Sequence, residues 1–176
     1  ISANRATDKQ RETLLQEYPR LEAQLPGDRT LVLTKAMLLR QQGQLPAAIE
    51  AVNQLLQKEP SHEPAIMLKA QLLHQIGKKD EASAFLEQSL LNIPDSKRLR
   101  LQHARFLAEN DLEGAHHQLT QLVEQYPNDP DLIYTLALAS RGLGLRIEAQ
   151  QLFFELTRYP STASSAHFEL GTMAER

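Results

Sequence analysis

The 176-residue sequence contains no cysteine, which removes disulfides, thiolate metal sites and cysteine nucleophiles from consideration. It has no apolar run near the roughly 20 residues needed to cross a bilayer, so no direct membrane span is expected. Positive charge is not in surplus: 19 Lys and Arg stand against 22 Asp and Glu, for a formal net charge of -3. Nucleic-acid binding usually shows clustered cations on a basic domain, so no nucleic-acid partner is expected. No charged-then-apolar targeting segment follows the first residue. The chain opens at Ile1 without Met and stops at Arg176 inside a helical pattern, and it reads as a piece of a longer protein.

What the sequence does contain is a beat. Pro26, Pro60, Pro94, Pro127 and Pro160 are spaced 34, 34, 33 and 33 residues apart. Small residues keep the same time in two series, Ala36, Ala70, Ala104, Ala137 and Gly171, and Ala48, Ala82, Ala115 and Ala149. Between the series sit Gly43, Gly77, Asn110 and Gly144. A period of this length with this punctuation means a helix–turn–helix unit stacked on itself. Glycine, or Asn110, ends the first helix by taking the left-handed conformation, and proline stops the second. Asp129-Pro130 marks a helix start, as do Ser61, Glu63 and Pro64.

The spacing predicts first-of-pair helices over 29–42, 63–76, 96–109, 130–142 and 162–175, and second-of-pair helices over 46–58, 79–92, 112–125 and 146–158. Apolar residues recur at helical intervals within them, such as Ile49, Val52, Leu55 and Leu56, then Leu119, Leu122 and Val123. Leu14, Tyr18 and Leu21 match a second-of-pair helix ending before Pro26, which Pro19 is expected to kink or break.

Leu39-Gly43-Ala48-Pro60, Leu73-Gly77-Ala82-Phe85-Pro94, Tyr126-Pro127 with Asn128, and His167-Phe168-Glu169-Leu170-Gly171 resemble the signature of the tetratricopeptide-repeat (TPR) family. Val32 and Ile66 stand where that family places a large aromatic, and the third repeat is one residue short around Asn110. The resemblance implies an all-α, right-handed superhelical solenoid of antiparallel helix pairs. Residues 1–28 would be the second helix of a degenerate repeat, and 29–61, 62–95, 96–128 and 129–160 four repeats. Residues 161–176 would begin a fifth. The later repeats, with Tyr134, Ala137, Ala139, Glu148-Ala149, Leu156 and Ala166 to Gly171, also resemble large bacterial envelope proteins built of many such repeats. Some of those are outer-membrane lipoproteins that recruit a processing protease or organise cell-wall enzymes.

By family geometry the first helices line a concave, partner-binding groove. They would present Leu33, Met37 and Arg40, then Met67, Gln71 and His74, then Arg98, Leu101 and Arg105. Tyr134, Leu138 and Arg141 follow, with Phe168 and Thr172 from the fifth repeat. Methionine and aromatic groups re-pack around varied apolar ligands, and arginine grips carboxylates with a planar fork. A peptide or helical segment carrying acidic groups suits that surface, and the same apolar residues would equally serve by packing on the neighbouring helix. The clamp by which TPR co-chaperones hold a chaperone's terminal carboxylate needs Lys and Asn. Those positions carry Leu33, Met37, Leu68, Gln71, Arg98 and Gln102.

No catalytic residue, cofactor or metal site is expected. His62, His74, His103, His116, His117 and His167 include no pair at i,i+4, the helical spacing that lets two imidazoles share a metal, and they read as solvent-exposed helix histidines. Gly142-Leu143-Gly144 falls at a helix-ending turn, without the preceding strand of a phosphate loop. Ser161, Ser164 and Ser165 lack a nucleophile elbow and read as a helix start. Lys97, Arg98 and Arg100 read as a solvated helix start or as a contact for an acidic partner. The expected function is a non-catalytic scaffold in the bacterial envelope or periplasm rather than the cytoplasm, recruiting an enzyme or assembly factor. The alternatives are a spacer that associates end to end, or an interaction domain fused to a catalytic one. Exchanging Arg105 and Arg141 for Glu is expected to weaken binding and leave melting intact.

Overall fold

The computed structural model describes residue 13, residues 16–25 and residues 27–174. All regular structure among them is α-helical. Residues 16–24 form α1. Then come α2 (Arg29–Gln41), α3 (Leu45–Lys58), α4 (Glu63–Gln75), α5 (Lys79–Leu90), α6 (Lys97–Leu107), α7 (Leu112–Gln125), α8 (Pro130–Gly142), α9 (Arg146–Leu156) and α10 (Ala163–Ala174). The helices predicted from the 34-residue beat agree with α2–α10 to within two residues at each end. Helix α1 runs unbroken through Pro19, so of the expected kink or break the break does not occur; Leu14 lies outside the described residues.

The chain divides into two compact units, Ile1–Asn92 and Ile93–Arg176. In the first, α2 packs on α3, α3 on α4 and α4 on α5; in the second, α6 on α7, α7 on α8, α8 on α9 and α9 on α10. Contact of each helix with its chain neighbours is the organisation of a helical repeat, in which no single helix pair can bury its apolar face alone.

The alanine series explain the packing. Ala36, Ala48, Ala70 and Ala82 in the first unit are fully buried, as are Ala104, Ala115, Ala137 and Ala149 in the second. A methyl group lets helices approach closely, and each added methylene there forces strain of about 1–3 kcal/mol. Gly171 departs from its series: it is exposed, with no heavy atom within 4 Å of where a Cβ would stand. In the first unit Val52, Leu55, Leu68 and Leu72 fill the space around the alanines, with Ile49 and Leu56 packed against them. In the second, Ile133, Phe153, Leu156 and Met173 form one cluster and Leu119 and Leu136 another.

Three of the four turns close as the spacing predicts. Gly43, Gly77 and Gly144 have φ of 76°, 83° and 75°. At Gly43 the amides of Gly43 and Gln44 return to the carbonyls of Arg40 and Leu39, a Schellman motif. Gly77 with Lys78, and Gly144 with Leu145, repeat it. Asn110 does not take the left-handed conformation, since no non-glycine residue has positive φ among the described residues. The third-repeat turn, one residue shorter, closes instead by right-handed turns: Asn110 and Asp111 both donate to the Leu107 carbonyl, at 3.0 and 2.7 Å.

Side chains of Asp28, His62, Ser96, Asp111 and Asp129 cap the starts of α2, α4, α6, α7 and α8, whereas α3, α5 and α9 start without a side-chain cap. His62, rather than Ser61, caps α4: its Nδ1 accepts from the Ala65 amide at 3.2 Å.

Candidate functional site

In the first unit, the faces of α2 and α4 carry six of the residues expected to meet a partner. Met37 stands out, 53% exposed. Leu33 packs against the core cluster. Met67, Gln71 and His74 are half-buried. Arg40 spans from α2 to α4, donating from Nε to Gln75 Oε1 at 2.8 Å and from Nη1 to Gln71 Oε1 at 3.1 Å. Its guanidinium therefore fixes two side chains of the next first helix.

In the second unit the same arrangement recurs with different chemistry. Arg105 on α6 donates to the Thr135 hydroxyl of α8 at 3.3 Å. Arg141 on α8 donates to a carboxylate oxygen of Glu169 on α10. Arg98 is exposed, and Leu101 packs against the core. Tyr134 and Leu138 also pack against the core, Tyr134 edge-on to Phe153 with ring centroids 6.0 Å apart. Phe168 is 69% exposed, and Thr172 is half-buried with its hydroxyl donating to the Glu169 carbonyl. Arg141, Phe168, Glu169, Thr172 and Met173 line a cleft of about 640 Å³ together with Gly144 and Arg146.

Arg146 and Glu169 are not among the groove residues that the sequence predicts. Arg146 opens α9 and donates to the main-chain carbonyl of Met173 near the end of α10, one of the carbonyls a helix leaves without an internal partner. A signal for such pairs exists in the spacing. The links Arg29–Glu59, Arg40–Gln71, Arg40–Gln75, Lys97–Asp129, Arg105–Thr135, His116–Glu148, Arg141–Glu169 and Arg146–Met173 join residues 27 to 35 apart, roughly one period of the beat.

The basic cluster at the start of α6 has partners within the chain. Lys97 Nζ lies 2.5 Å from Asp129 Oδ2 and 5.3 Å from the Tyr126 ring centroid. The hydrogen bond to Asp129, with that carboxylate's charge, raises the Lys97 pKa. For Asp129, burial pushes upward but is outweighed by the Lys97 hydrogen bond and the Leu132 and Asp131 amides, and its pKa is lowered. Arg100 donates to Gln125 at 2.7 Å. The histidines are more engaged than an exposed reading allows. His103 is buried, and His116 sits 3.2 Å from Glu148 Oε1, linking α7 to α9.

A tetratricopeptide-repeat family model matches residues 14–104, just over half of the chain. The chain belongs to the tetratricopeptide-repeat family. A TPR repeat-containing protein of Pseudomonas aeruginosa is 34% identical over 105 residues, which is 59% of this chain and 18% of that protein. Cellulose synthase operon protein C of Pseudomonas fluorescens is 27% identical over 182 residues, 98% of this chain and 14% of that protein. The chain thus spans less than a fifth of the length of these curated relatives. Among solved structures, a tetratricopeptide-repeat protein from Parabacteroides merdae aligns with a TM-score of 0.76 at 13% identity, over 99% of this chain and 71% of that one. YrrB, described as a TPR protein with an unusual peptide-binding site, aligns with a TM-score of 0.65 at 18% identity, over 89% of this chain and 81% of that one. At such identities the likeness shows the fold, an all-α helical repeat. Members of this family are in general non-catalytic modules for protein–protein interaction, and among the described residues no helix is long and apolar enough to cross a membrane.

Proposed function

We propose that this chain is a scaffold that holds a peptide or helical segment of a partner protein on the first-helix faces of its units and brings that partner to the bacterial envelope. The observation that carries the reading is Phe168, a large aromatic left 69% exposed in the cleft beside the Arg141–Glu169 link of α8 and α10. A side chain of that size gains about 1.5–3 kcal/mol on full burial. Met37 offers the first unit a similar adaptable contact. The peptide-binding site in the description of YrrB supports the mode, and the relative named for a cellulose synthase operon supports the envelope setting. Recruitment of an enzyme or assembly factor is the role such a surface fits.

The test is affinity purification from bacterial cytoplasmic and envelope fractions with the wild type and with a Met37→Asp/Phe168→Asp variant, bound proteins being identified by mass spectrometry. Both positions are exposed, so the variant is expected to fold as the wild type does. An envelope protein retained by the wild type and lost by the variant is the expected result. Equal retention would move the binding site off these faces, and recovery of cytoplasmic partners alone would overturn the envelope role.

A further inference from the structure

We infer that the cleft between α8 and α10 recognises a side-chain carboxylate flanked by a large apolar residue within a partner segment, with Arg146 as its anion anchor. The inference rests on the scaffold reading and adds a binding residue from a second-of-pair helix. Three observations converge. The cleft's volume, about 640 Å³, lies in the usual range for bound-ligand sites. Its charged lining is two arginines, Arg141 and Arg146, against one carboxylate, Glu169, so it carries a net positive charge. Glu169 answers Arg141, whereas the hydrogen-bond acceptor of Arg146 is an uncharged main-chain carbonyl. The nearby Glu148 is oriented by His116. A guanidinium has five N–H donors in a planar fork, and this bond to Met173 uses one nitrogen, Nη2.

The chemistry of the occupant follows from these groups. Arg141 already holds the side-chain carboxylate of a helical glutamate, and an Asp or Glu side chain from a partner segment offers Arg146 the same acceptor chemistry. A second carboxylate on the Arg146 fork would form a charge-assisted bond, about twice as strong as a neutral one. Phe168, exposed on the cleft wall, would cover the apolar residue beside it.

The test is selection of random dodecapeptides, displayed through their C-termini so that no free carboxylate end is present, on the immobilised 176-residue chain. Selected peptides are then synthesised and titrated by fluorescence anisotropy. Enrichment of Asp or Glu next to Phe, Tyr, Leu, Ile or Met is expected. Arg146→Gln should weaken the selected peptide at least tenfold and its Asp→Asn or Glu→Gln form less than threefold. Phe168→Ala, at an exposed position, should weaken both forms while leaving melting unchanged. Peptides without a carboxylate, or affinities unmoved by Arg146→Gln and Phe168→Ala, would overturn the inference while leaving the scaffold reading standing. Binding only by peptides presented with a free C-terminus would overturn the side-chain assignment. Absence of any enriched peptide would remove the peptide-holding reading as well.

Discussion

Replacing Arg141 with Glu sets a new carboxylate against Glu169, whose side chain is only 12% exposed and forms an ion pair with Arg141, itself 41% exposed. Two costs add. Loss of the guanidinium leaves a nearly buried carboxylate short of a charged hydrogen-bond donor, about 1–3 kcal/mol, toward the low end because Arg141 is partly solvated. Like charges at about 4 Å repel by at most about 4 kcal/mol near a protein surface, and rotation of the new side chain into solvent removes most of this. We expect a net loss of about 2 kcal/mol for Arg141→Glu and about 1 kcal/mol for Arg141→Gln. For a chain of this size 2 kcal/mol lowers the melting temperature by about 4–8 °C. Arg105→Glu, which gives up a 3.3 Å bond to a neutral hydroxyl at an exposed site, should stay within about 0.5 kcal/mol of the wild type. The sequence-based expectation that both exchanges leave melting intact is therefore kept for Arg105 and revised for Arg141, whose partner is a nearly buried carboxylate. The assay is thermal unfolding followed by circular dichroism at low and high salt, with the charge-swapped Arg141→Glu/Glu169→Arg variant as the control. The swap should recover at least half of the loss. An Arg141→Glu variant that melts with the wild type, or a swap that recovers nothing, would refute the pairing argument.

Other predictions concern the ends of the helices. Asp129, its pKa lowered, adds stability that is present above the ordinary carboxylate value and lost as pH falls through the folded value. Lys97, its pKa raised, adds stability that is present below the ordinary lysine value and lost as pH rises through the folded value. Asp129→Asn keeps a capping side chain and removes the charge, so its melting temperature should lie below wild type at pH 7, and the gap should narrow in parallel pH scans as pH falls below the ordinary carboxylate value. Gly77→Ala should cost about 1 kcal/mol in urea unfolding through left-handed backbone strain alone, since no atom lies within 4 Å of the added Cβ. Asn110→Gly should not stabilise, because that turn is right-handed. His62→Ala should cost about 1 kcal/mol in the same assay by removing the α4 cap.

The repeat was readable because its punctuation is backbone chemistry. Fully buried alanines and positive-φ glycines leave little choice of residue, so Ala36, Ala70 and Gly43, Gly77 announce themselves at a fixed interval. Asn110 misled because asparagine tolerates the left-handed conformation, and the one-residue shortening of its turn removed the need for it. His62 was invisible as a cap because a ring nitrogen seldom takes that role. Met37 and Phe168 could be placed on helix faces from periodicity, and both stand exposed. Whether an arginine meets a carboxylate, an amide or a hydroxyl one period ahead depends on helix rotation to within a fraction of a turn. Periodicity does not resolve that, so the differing partners of Arg40, Arg105 and Arg141 are set by helix packing rather than by the spacing.

The polar links that reach one period ahead carry a consequence for how such a chain can change its length. An in-frame duplication of a whole period hands every donor a fresh acceptor at the old distance, because Arg141 would find its glutamate in the inserted copy just as it does in the original. An insertion of five residues within α8 ahead of Arg141 instead turns that side chain by about 140° around the helix, away from Glu169, and strands a carboxylate. Growth by quanta is thereby cheap, and growth by increments is penalised at each junction.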